Sequence, residues 1–205
     1  ALMGGFAKAL SGYMDPLEVV FFRNLIGVVL IVLTLFKVPI KQAGGKPWLL
    51  FFRGAMGFIA LVAFFYNIAH ISLADAMTFS RTSPIFTALF AYWFLKEKIG
   101  SRGWIAVFVG FLGIVFIMKP NGLALDKTDL LGLLSGVGAA LAYTSVRELK
   151  KYYDTRAIVL SFMGVGTIGP LVLMGFSEFL HVKHFDVLQG TFVMPTGIAW
   201  FYVFG

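Results

Sequence analysis

Cysteine is absent from the 205-residue chain, which excludes disulfides and thiolate metal sites. Charge is scarce: Asp, Glu, Lys and Arg make up 13% of residues, against roughly 25% in soluble domains. Hydrophobic residues make up 59%, so the polar side chains are too few to face water on every side. Strand-like alternation is missing, which argues against a β-barrel. There is no phosphate-cradling glycine loop, zincin pattern or serine elbow. The sequence therefore points to no enzyme class and calls for no cofactor. His181 and His184 of HVKH, followed by Asp186, are too few ligands for a zinc site.

What is present is a series of long apolar runs. A hydrocarbon core of about 30 Å needs about 20 helical residues, and in lipid a helix satisfies its own backbone. The runs predict a partial first span at 1–12, then spans at 17–36, 48–70, 72–95, 103–118, 130–147 and 157–179, and a partial eighth at 191–205. The chain opens at Ala1 and stops at AWFYVFG, both within apolar sequence, so it reads as part of a longer protein. The lipid bilayer is the first partner implied.

The formal charge of +7 follows from orientation. Lys37, Lys41, Lys46, Arg53, Lys96, Lys98, Arg102, Arg147, Lys150, Lys151 and Arg156 fall on the connections after spans 2, 4 and 6 or the adjoining span ends. Lys119, Lys127 and Lys183 fall on the other side. Short loops rich in Lys and Arg stay in the cytoplasm. The expected arrangement is a multi-pass inner-membrane protein with its amino terminus in the cytoplasm. No nucleic-acid partner is needed to explain the bases.

The charges left over are the candidate site. Arg81 lies nine residues past Ser72, on the order of 13 Å into its span. A charge there costs at least ~2.5 kcal/mol unless a wet cavity or a partner receives it. One reading has Arg81 facing a central cavity and binding an anionic group through paired donors. The other has it pairing with an acid or with helix carbonyls. Thr78 shares its helix face, and Asp75 stands at the outer mouth. Lys8 and Arg23 could line a cavity, snorkel to the interface, or pair with Asp15 and Glu18. Tyr66, Asn67 and Tyr143 supply polar groups that could stack on a solute or hydrogen-bond to it, or simply pack. Gly132, Gly136 and Ala140 recur at a spacing that lets helices approach closely. Pro84 and Pro170 each remove a ladder hydrogen bond and favour a kink.

FLKEKIGSRGWIAVFVGFLGIVFIMKP, with SPIFTALFAYW before it, resembles the drug/metabolite transporter superfamily, EamA type. Pro84, Glu97, Gly103, Gly110, Gly113 and Pro120 match its proline in the fourth helix, its glutamate at the cytoplasmic end and its glycine-rich fifth helix. SGYMDPLEVVFFRNLIG resembles the second helix, with Arg23, and FAKAL the end of the first, with Lys8. ADA at 74–76 is similar to the subgroup that includes S-adenosylmethionine carriers. Arg81 stands where the family usually has a neutral residue.

The resemblance implies an all-α polytopic transmembrane bundle of two inverted five-helix repeats, of which this chain holds about seven to eight spans. Residues 1–118 would form the first repeat, 119–129 the connecting loop and 130–205 the start of the second. It also implies a secondary transporter that moves a small polar metabolite by alternating access, such as an amino acid or an S-adenosylmethionine-like zwitterion. The competing expectation is a non-transporting membrane scaffold or subunit. Self-association into a homo-oligomer stays open.

Overall fold

The structure, a computed structural model, describes residue 5 and residues 8–37, 44–118 and 126–180, with side chains at all of these but 117–118 and 176–180. The eighth span, most of the 119–129 loop and the HVKH histidines lie outside the described residues. Among those described, the chain is helical with no strand. The helices are α1 (Pro16–Lys37), α2 (Pro47–His70), α3 (Leu73–Ser80), α4 (Ser83–Leu95), α5 (Ser101–Met118), α6 (Lys127–Leu149) and α7 (Thr155–Leu180). Four of them, α1, α2, α6 and α7, are long and apolar enough to cross a membrane. Many large apolar side chains point outward, Leu33, Phe36, Phe108, Phe116 and Ile168 among them. In water such a surface would aggregate, whereas lipid satisfies it.

Local chemistry sets where the helices start. Pro16 has no N–H to lose in a first turn, and Glu18 reaches back to accept the Asp15 N–H at 3.3 Å. Ser72 caps α3 and also donates to Asp75 at 2.6 Å. Asp126 and Asp129 form a reciprocal capping box at the start of α6.

The fourth span is two helices rather than one. The ladder stops at Arg81, and α4 restarts at Ser83 with Pro84 in its first turn. Pro84 cannot donate to the preceding turn, and its ring crowds the carbonyl four residues back. Thr82 is buried and fills the gap, its hydroxyl donating to Phe79 O at 2.6 Å. By contrast, α7 runs on through Pro170.

Helix α6 is the axis of the bundle. It packs most extensively against α2, with α4 and α3 on its other side, while α7 packs against α1 and α2. Small residues make this feasible. Added Cβ atoms at Gly132 and Gly136 would strike Phe79 and Thr82, so this stripe seats the broken helix pair. Gly138 faces Ala60 and the Met56 carbonyl on α2. Asn24 ties α1 to α7 by donating to Gly166 O at 3.4 Å and to Val20 O at 2.8 Å. Asn67 ties α2 to α6 by donating to Thr128 O at 3.0 Å. Replacing Asn67 with Ala should lower stability by about 1 kcal/mol, read as a lower melting temperature of the detergent-solubilised protein.

Candidate functional site

Arg53, Gly57, Ala60, Leu61 and Phe64 on α2, Ser135, Ala139, Ala142 and Tyr143 on α6, Arg23 on α1, Ser80 on α3 and Phe162 on α7 enclose a cavity of about 220 Å³. Helical spacing explains the lining: 53, 57, 60, 61 and 64 form one face of α2, and 135, 139 and 142 one face of α6. The walls are mainly aromatic and small apolar groups. Two guanidiniums, two serine hydroxyls and a phenol interrupt them. Among the described residues, no Asp or Glu lines the cavity.

Arg53 is set in place with care. Its guanidinium carbon lies 4.8 Å from the centre of the Phe162 ring, a cation–π contact. Gly57, one turn on, leaves the space this needs: a Cβ there would come within 2.5 Å of a terminal nitrogen of Arg53 and 2.7 Å of the Phe162 ring. Arg53 Nε is buried and has no hydrogen-bond partner among the described residues. Arg23 lines the same cavity and is more open to the surface. Tyr143 is the ionisable neighbour that both arginines share.

The structure thus brings together two residues that the sequence singles out, Arg23 and Tyr143. Arg53, which the charge pattern groups with the interface bases, joins them. The other candidates lie elsewhere. Lys8 seats its ammonium on the last carbonyls of α2, donating to Ile68 O at 2.6 Å and Ile71 O at 3.1 Å. That is where a cation complements a helix C-terminus. Asp75 is exposed, its backbone N–H donating to the Ser72 cap and its carboxylate accepting the Ser72 hydroxyl. The Thr78 hydroxyl donates to Ala74 O at 2.6 Å. Tyr66 is buried and stacked on His70 with ring centres 3.9 Å apart. Asn67 is buried with its Nδ2 spent on Thr128 and its Oδ1 unmet. Arg81 is exposed at the α3–α4 break and is not among the residues around the cavity.

A second cavity of about 480 Å³ lies on the α4 side of the α2–α6 pair. Lys46, Leu49, Phe52, Phe94, Leu95, Leu141, Thr144, Ser145 and Glu148 line it. Ion pairs gather at this base-rich end. Lys46 and Lys151 both meet Glu148, at 3.0 and 2.7 Å, and Arg147 meets Glu97 at 2.7 Å. The hydrogen bond to Glu148 raises the Lys46 pKa above its ordinary value. Asp154 is held below the usual carboxylate range, first by the Arg156 backbone N–H at 2.9 Å and then by its guanidinium at 3.1 Å.

The signs of these shifts fix their pH dependence. A depressed Asp154 contributes fully above about pH 3.9 and loses its contribution as pH falls through its folded value. A raised Lys46 contributes fully below about pH 10.4 and loses its contribution as pH rises through its folded value. The melting difference between the parent and Asp154→Asn should therefore be flat from about pH 5 to 9 and shrink only in stronger acid.

A family model described as the EamA-like transporter family matches residues 1–119. An uncharacterized transporter of Helicobacter pylori is 37% identical over 175 residues, covering 82% of this chain and 58% of that protein. A pseudopaline exporter of Pseudomonas aeruginosa is 38% identical over 187 residues, covering 88% and 63%. An S-adenosylmethionine uptake transporter of Rickettsia bellii is 26% identical over 168 residues, covering 82% and 56%. The chain therefore spans only 56–63% of the length of these relatives. A solved crystal structure matches the whole chain and 73% of its own, with a TM-score of 0.59 at 16% identity, which speaks for a shared fold.

Proposed function

The chain belongs to the EamA-like transporter family, and from that premise we propose that it helps carry a small metabolite bearing an acidic group across the inner membrane by alternating access. The observation that carries this reading is the cavity lined by both Arg23 and Arg53, with no acid among the described residues of its lining. A guanidinium within a bilayer costs at least ~2.5 kcal/mol without a partner or water, and a bound carboxylate is such a partner, held by charge-assisted hydrogen bonds. The phenol of Tyr143 and the hydroxyls of Ser80 and Ser135 offer further polar contacts. Phe64 and Phe162 give an apolar body somewhere to rest. Relatives named as exporting pseudopaline and taking up S-adenosylmethionine support a small polar cargo.

In this reading the two parts of the chain on either side of 119–129 are halves of an inverted pair, and they rock about the α2–α6 contact. The base-rich end faces the cytoplasm, with the amino terminus on the same side. Its ion pairs hold that end shut while the cavity is reached from the other.

Ala139 lines the cavity and is half-buried, and the chain has no cysteine of its own. An Ala139→Cys variant in sealed vesicles should react with a membrane-impermeant maleimide added on either side. Labelling confined to one side under every condition would count against alternating access.

A further inference from the structure

The two cavity arginines enter at different heights. Asn24, next to Arg23, bonds Gly166 O of α7. Leu50 and Gly54, on either side of Arg53, both meet Ser161 of α7: its hydroxyl donates to Leu50 O at 3.1 Å, and its carbonyl lies 3.2 Å from where a Gly54 Cβ would be. Five residues of α7 separate those two levels, about 7–8 Å of helical rise. The backbones of the two arginines thus stand at different levels of one cavity.

Neither guanidinium has an acidic partner among the described cavity-lining residues. The described acids that form ion pairs at the basic end, Glu97, Glu148 and Asp154, are paired with Arg147, with Lys46 and Lys151, and with Arg156. A solute with one carboxylate would answer one guanidinium and leave the other with no anionic partner in the cavity. A compact dianion such as inorganic phosphate would put both charges at one level.

Resting on the transport reading above, we propose that the solute is an elongated dianion with acidic groups at both ends, one at Arg53 and the other at Arg23. Its middle is apolar or weakly polar and lies along Leu61, Phe64 and Phe162. The pairing sets specificity: Arg53, fixed by Phe162 and Gly57, holds one acid, and the more open Arg23 selects for the second.

The test uses the full-length protein with Ala139→Cys and follows protection of that cysteine from maleimide. The probes are adipate, hexanoate and inorganic phosphate, the first two matched in chain length and differing in the second carboxylate. Adipate should protect at a concentration about tenfold or more below that of hexanoate, the usual scale of one added charge-assisted contact, and phosphate should fall short of adipate. Adding Arg23→Gln should shrink the gap between adipate and hexanoate to less than about twofold. Equal protection by hexanoate and adipate, phosphate matching adipate, or a gap that survives Arg23→Gln would each overturn the elongated-dianion assignment while leaving an anion site standing. If none of the three protects a folded, monodisperse protein, the cavity is no anion site and both readings fall.

Discussion

Arg53→Gln should nearly abolish solute binding and uptake while the protein stays folded in the membrane. Glutamine keeps hydrogen-bonding capacity and much of the length but removes the charge. Hydrogen bonds to charged groups contribute about 1.5–3 kcal/mol each, so the expected loss is roughly ten- to a hundredfold in affinity. Stability should change little, because the lost cation–π contact with Phe162 is offset by removing a half-buried charge with an unmet Nε. Arg81→Gln is the natural comparison, since Arg81 is exposed and outside the cavity. Uptake measured beside membrane abundance for both variants decides between them. Loss of uptake in Arg81→Gln with normal uptake in Arg53→Gln would move the anchor to the α3–α4 break.

Gly138→Leu should prevent the bundle from forming. A Cβ at this position would already lie 3.1 Å from Ala60 Cβ and 3.2 Å from Met56 O. Neither can swing away, one being a methyl on a buried turn and the other backbone. A leucine must therefore push α2 and α6 apart along the most extensive contact in the fold. Overpacking costs about 1–3 kcal/mol in an ordinary core and occasionally more. Here it also opens the cavity wall, so the upper end is expected. The readout is loss of monodisperse protein on gel filtration, with Gly138→Ala intermediate. Gly113, which has open space around its Cβ position, should accept leucine with little change, showing that the effect is local.

Most of the framework could be read from the sequence because its signals are local. Pro16, the Ser72–Asp75 cap and the Asp126–Asp129 box mark where helices begin, and uninterrupted apolar stretches show how far they run. The Ser72 cap and its tie to Asp75 were available too, as a serine three residues before an acid at the start of a helix. The site was harder to see. Counting bases by side places Arg53 with the loop lysines, since it lies six residues past Pro47. Only the packing shows it turned inward, and the one trace in sequence is Gly57, one turn away on the same face. The expectation for Arg81 depends on carrying helical angles through residue 81. The ladder ends there, so face assignments from the residues before it do not transfer beyond it. Asn24 escapes notice because an amide four residues from its own carbonyl partner looks like any polar residue in a helix, and its second partner lies 142 residues away.

Arg147 and Glu148 are sequence neighbours of opposite sign at the end of α6, and each reaches a different helix: Arg147 holds Glu97 beyond α4, and Glu148 holds Lys46 before α2. If α2 and α4 traded sides of α6 during insertion, Lys46 would meet Arg147 and Glu97 would meet Glu148, giving repulsion at both places. Two adjacent residues of opposite charge therefore favour one placement of α2 and α4 around α6 by a small electrostatic margin, which a uniformly apolar seam would lack.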